Sequence, residues 1–78
     1  MITIEIKDPE KIGMGLSEVD IYCDSDGINE LKRQLEFLVQ GETHIHLASS
    51  SWAGNELGEI AMGEGTIIVH QATIIKMS

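Results

Sequence analysis

Hydrophobic and polar residues alternate one for one at the start of the chain, where Ile2, Ile4 and Ile6 are separated by Thr3 and Glu5. Successive side chains of a strand point to opposite faces, so this period of two predicts a half-buried β-strand. Residues 7–15, with Pro9, Gly13 and Gly15, read as a loop. Alternation returns at Val19, Ile21 and Cys23, interleaved with Glu18, Asp20 and Tyr22, and predicts a second strand with an acidic polar side. From Ile28 the period changes. Ile28, Leu31, Leu35, Leu38 and Val39 recur at helical spacing, Lys32, Arg33 and Glu36 fall largely off that stripe, and Gly41 supplies a stop. Just ahead of this helix, Asp24, Ser25 and Asp26 offer side-chain oxygens that can cap its free N–H groups.

Residues 43–48 predict a third strand, with His44 and His46 on one side and Ile45 and Leu47 on the other. A small-residue loop, Ser49–Asn55, follows and carries Trp52. Residues 56–62 read as a weaker strand interrupted by Gly58, residues 63–65 as a turn, and residues 66–77 as a long β-branched stretch. The order β-β-α-β-β-β predicts an α+β fold in two layers. One mixed or antiparallel sheet of four to five strands carries one amphipathic helix on one face. Ile4, Val19, Ile21, Ile45 and Leu47 then pack under the helix, while Thr3, Glu5, Glu18, Asp20, Tyr22, His44 and His46 face outward. In the last strand, placing Ile67 and Val69 inward turns Ile68 and His70 outward. Gln71 would then point inward unless a bulge shifts the phase.

A chain of 78 residues is read as one domain, 1–78, with 42% hydrophobic residues, enough for a globular core. Tyr22, Phe37 and Trp52 are its aromatic residues, so the core is built mainly from Ile, Leu and Val. Cys23 stands alone and cannot form an internal disulfide, which fits a reducing compartment. Residues 1–6 alternate and residues 7–10 are charged, unlike a secretory leader, and no run approaches the ~18 apolar residues of a membrane helix. The expected location is the cytoplasm.

Charge narrows the partners. Thirteen carboxylates against five Lys and Arg give a net charge of −8. Such a chain repels phosphate backbones and anionic lipid, which excludes nucleic-acid and membrane-surface binding and favours basic proteins. The same acidity also serves solubility.

No complete catalytic set is present, and a non-enzymatic protein is expected. His44-x-His46 with His70 has the residue types of a three-histidine zinc site, but outward histidines paired across strands are the ordinary outcome, and neither metal nor cofactor is expected. Aligning Gly27 with the glycine of a calcium loop puts Tyr22 in the first ligand position and Arg33 where a bidentate Glu belongs, which excludes an EF-hand. Ser49-Ser50-Ser51 lacks the setting of a nucleophile elbow and reads as a turn. Cys23 falls on the apolar side of its strand, as a buried thiol does. Trp52 either folds over the core edge or stands free as an interface anchor, where truncation costs about 2 kcal/mol or more.

Leu31, Leu35 and Leu38 on the helix, His44-Ile45-His46-Leu47, Trp52, Gly54-Asn55-Glu56-Leu57 and Ile67-Ile68-Val69-His70 together give residues 28–75 a family likeness. The chain resembles the small α+β immunity proteins of bacterial polymorphic-toxin systems. The resemblance implies a non-enzymatic cytoplasmic protein that neutralises a cognate toxin domain, commonly basic, by one-to-one association. Partner-binding residues on this reading are Glu18, Asp20, Tyr22, His44, His46 and His70 from outward strand positions, with Trp52 and Asn55 from the loop. The alternative is a small homo-oligomeric structural or regulatory module that uses the same face for a homodimer. A metal-dependent hydrolase through the three histidines stands third.

Overall fold

The computed structural model describes residues 1–15 and 18–78. Its elements are β1 (Ile2–Lys7), β2 (Glu18–Cys23), α1 (Ser25–Val39), β3 (His44–Ala48), β4 (Ile67–Ile68) and β5 (Gln71–Ile75). Short 3-10 helices occupy Pro9–Met14, within the expected loop, and Ser50–Trp52. The fold is α+β as expected, but the described residues place one helix and five strands in two antiparallel sheets, β2-β1-β4 and β3-β5, where a single sheet was predicted. The sheets divide because the closing stretch leaves β1 after Ile68 and joins β3 from Gln71. No helix among the described residues is long and apolar enough to cross a membrane.

The expected alternation sets the β1–β2 register. Ile2 lies opposite Cys23, Ile4 opposite Ile21, and Ile6 opposite Val19. The closing segment serves both sheets: β4 pairs with β1, and β5 pairs with β3. Between them the Val69 N–H donates to the Ile4 carbonyl at 2.8 Å, and the His70 carbonyl accepts from the Ser49 N–H at 2.8 Å. Val69, Ala72 and Ile74 all pack on the core, so the step from Val69 to Ala72 breaks strict alternation. The phase shifts because the chain bends at residues 69–70 and crosses from one sheet to the other, not through a bulge within one strand, and Gln71 is left exposed.

Residues 56–62 form no strand. The Gly58 N–H donates to the Ile2 carbonyl at 2.8 Å, and the Glu56 and Leu57 N–H groups both donate to the Ala48 carbonyl at 3.1 Å. The segment therefore spans from β3 to β1 and spends its backbone donors on two strand ends instead of on a ladder of its own.

The helix begins at Ser25, before its apolar stripe, because Asp24 in extended conformation accepts from the Gly27 N–H at 2.8 Å. Gly27 is buried, and a Cβ there would overlap the Met1 carbonyl, so glycine is what lets the helix start against β1. At the other end Gly41 (φ 119°) takes a conformation that side chains disfavour, and its N–H donates to Leu38.

The core comprises Ile2, Ile4, Leu47 and Leu57, with Cys23, Leu31, Val69, Ala72 and Ile74 packed around it. Ile45 is buried as expected. Val19 and Ile21 are not: they are 55% and 57% exposed. The core gathers at the Ile2–Cys23 end of the hairpin, where Leu31 of the helix packs, and stops at Ile4. Thr3 and Glu5, expected to face outward, are fully buried, because the segment after Gly58 folds over that face of the sheet.

Candidate functional site

Glu5 explains the covered face. Its Oε1 accepts from the Gly63 N–H at 3.0 Å and the Thr66 hydroxyl at 2.7 Å, and its Oε2 from the Thr3 hydroxyl at 2.7 Å and the Met62 N–H at 2.9 Å. Burial alone would push the carboxyl pKa up, but these four donors outweigh it and hold the group at about 2. A Cβ on Gly63 would sit 2.9 Å from the Tyr22 hydroxyl, so glycine permits the close seating of this segment. Glu5 was not singled out from the sequence. Its one signal was an acidic residue on the polar side of a strand, facing a glycine-rich turn with amides to satisfy.

The acidic side of β2 is consequently half covered. Glu18 is exposed and its carboxylate lies 3.6 Å from the Lys7 ammonium, whereas Asp20 and Tyr22 are half-buried. On the opposite side of the same strand Val19 and Ile21 stand open, and Ile67 of β4, half-exposed, lies across β1 from them with Ile6 between.

His44 and His46 face outward from β3 as the alternation predicts, with ring centroids 5.0 Å apart in an edge-to-face arrangement. The His46 Nδ1 lies 3.0 Å from the Thr73 hydroxyl, its cross-strand partner, and 3.3 Å from the Gln71 amide nitrogen. His70 does not join them. It is half-buried, and its Nδ1 sits 2.9 Å from the Ser49 hydroxyl. That separation suits a nucleophile and base, yet Ser49 is fully buried, and the pair acts as a joint between β3 and the β4–β5 bend. Among the described residues, no group of three or more His, Cys, Asp or Glu side chains is placed to hold a metal ion.

Trp52 is 60% exposed at the end of the Ser50–Trp52 helix. Glu59 secures that turn by accepting from the Ser51 N–H at 2.7 Å and the Ser50 hydroxyl at 3.0 Å. Hydrogen bonds from Ser51 and Ser50 hold its carboxyl at about 2. Ala53 closes the turn in a left-handed conformation (φ 62°), uncommon for a residue with a side chain. The indole is thus presented on a tied turn instead of lying over the core edge.

Asn55 lines a pocket of about 380 Å³ beside the helix start, with Asp26, Glu30, Arg33 and Glu56 among its walls. Arg33 donates to both oxygens of Glu30, at 2.7 and 2.9 Å, and this pairing holds the Glu30 carboxyl at about 2. With Arg33 engaged by Glu30 and the Met1 ammonium by Asp24, Asp26 and Glu56 leave the pocket acidic.

The sequence-predicted residues therefore fall on four places: Glu18, Asp20 and Tyr22 on the outer strand of one sheet, His44 and His46 on the other sheet, Trp52 and Asn55 on the connecting loop, and His70, expected at an outward strand position, half-buried in the bend between β4 and β5. Val19 and Ile21 are the addition, expected in the core and found at the surface. Fold and surface define a small acidic α+β protein with exposed apolar side chains at strand and turn positions. No family model, curated protein or solved structure matches the chain.

Proposed function

We propose that this is a cytoplasmic immunity protein, which binds a basic cognate toxin domain one to one and so neutralises it. The observation that carries the reading is the exposure of Val19, Ile21 and Trp52 on a body of net charge −8. Acidic surroundings steer a basic partner inward, and the desolvated apolar and aromatic groups then hold it. Binding would occlude the toxin's active site or a neighbouring surface. The resemblance of residues 28–75 to immunity proteins supports the same reading.

A tagged form of the protein, recovered from its native host at low salt, tests this. One basic chain at one-to-one stoichiometry, released as salt rises, is the expected result. Recovery of the protein alone contradicts it.

The second reading, a self-associating module, draws on Ile75 and Val39, which are 68% and 76% exposed. Sedimentation decides between them. A monomer at micromolar concentration fits the inhibitor, and a tight dimer fits the module.

A further inference from the structure

The β1–β2 ladder determines which backbone groups β2 leaves open. The Asp24 N–H donates to the Met1 carbonyl, which makes that pair and every second pair after it, Tyr22 with Thr3 and Asp20 with Glu5, the ones that exchange bonds. Val19, Ile21 and Cys23 belong to the other set. Their N–H and C=O groups point away from β1, and β2 is the outer strand of its sheet. No partner for these groups appears among the described residues. Most sheets blunt such an edge with proline, lysine or a bulge. This one presents six residues of regular strand with half-exposed Val19 and Ile21 on one side and Glu18 and Asp20 on the other.

A second copy fits this edge poorly. In antiparallel self-pairing, Val19 opposite Ile21 sets Asp20 against Asp20, and Val19 opposite Val19 sets Glu18 against Asp20. Ile21 opposite Ile21 sets Glu18 against Asp24. Like charges directly opposite each other destabilise a strand pair. The remaining edges lack acidic side chains, since β3 carries His44 and His46 and β5 carries Gln71 and Thr73.

We propose that the outer edge of β2 accepts an extended segment of the partner protein as an added strand, one whose side chains alternate between basic and apolar. Main-chain bonds to Val19, Ile21 and Cys23 supply the register. Basic side chains of the incoming strand lie beside Glu18 and Asp20, and apolar ones beside Val19 and Ile21. The partner's basic character rests on the function proposed above; the geometry of docking does not.

Amide hydrogen exchange of the full chain, followed by NMR with and without an alternating Lys–Val hexapeptide, tests the proposal. The Val19, Ile21 and Cys23 amides are expected to exchange about tenfold more slowly with peptide, and those of Gln71 and Thr73 to stay unchanged. Ile21→Pro removes only an outward N–H, the one kind of strand position where proline is tolerated, and should abolish the protection while the β1–β2 ladder persists. Asp20→Lys should weaken it even if the proline variant unfolds. Protection elsewhere, no protection, or protection unaltered by Asp20→Lys overturns the proposal. Should the peptide protect this edge while no basic chain is recovered from the host, the edge stands and the toxin-binding reading falls. A recovered toxin that leaves these amides in fast exchange gives the reverse.

Discussion

Glu5 and Trp52 stand at opposite extremes of burial, one fully enclosed and the other 60% exposed. Glu5 is a buried anion that stays ionised because four donors converge on it. Glu5→Gln replaces an acceptor-only group by an amide that brings two donors of its own, leaving buried donors mismatched. The variant should melt at a lower temperature at neutral pH, with faster amide exchange at Met62 and Gly63. The pH dependence has a definite sign. The carboxyl sits at about 2 in the folded protein against an ordinary 4.5, so its contribution is complete above pH 4.5 and vanishes as pH falls toward 2. The gap in melting temperature between parent and variant should close over that window. Glu30 and Glu59 share the direction of shift but are screened by water and should contribute less. Trp52 is the opposite case. Trp52→Ala should change stability by less than about 0.5 kcal/mol in denaturant titrations, yet weaken partner binding by about 2 kcal/mol.

Among the elements, the helix and the first two strands were the most legible, since a stripe at period 3.6 and two runs at period 2 each admit one local solution. Illegible was which part of each apolar run the rest of the chain would reach. Val19 and Ile21 have the pattern of core residues, but the helix meets the sheet at Leu31 beside Cys23, and period alone does not say how far along a strand the cover extends. Residues 56–62 form no strand for a different reason. Their N–H groups are taken by the Ala48 and Ile2 carbonyls and by Glu5, a non-local competition that local propensity cannot register. Leu57, carried on that segment, is 4% exposed and belongs to the core. Leu57→Ala should therefore cost about 2–5 kcal/mol by urea denaturation, a large fraction of what so small a domain possesses. The same substitution at Leu35, 39% exposed, should cost well below that.

At the scale of the whole molecule, a core confined to one end of the hairpin and a net charge of −8 have a joint consequence. The uncovered half of the β1–β2 sheet is apolar on one side, acidic on the other, and open along its β2 edge. A charge of this size repels like-charged copies and, on the function proposed, draws a cationic partner toward the surface the core leaves bare. The candidate residues were legible in the sequence as outward strand positions, and His44 and His46 hold theirs. The division of the strand residues between two sheets was not, because strand order is set by contacts distant in the chain, whereas Trp52 and Asn55 lie in the loop where the pattern put them. On the function proposed, electrostatic attraction at this edge drives partner association. The most direct test is the affinity of the recovered partner for the parent protein and for Asp20→Lys across a series of salt concentrations. Affinity is expected to fall as salt rises, and Asp20→Lys both to weaken binding and to flatten this dependence. Parallel salt curves of equal affinity for the two proteins would contradict it.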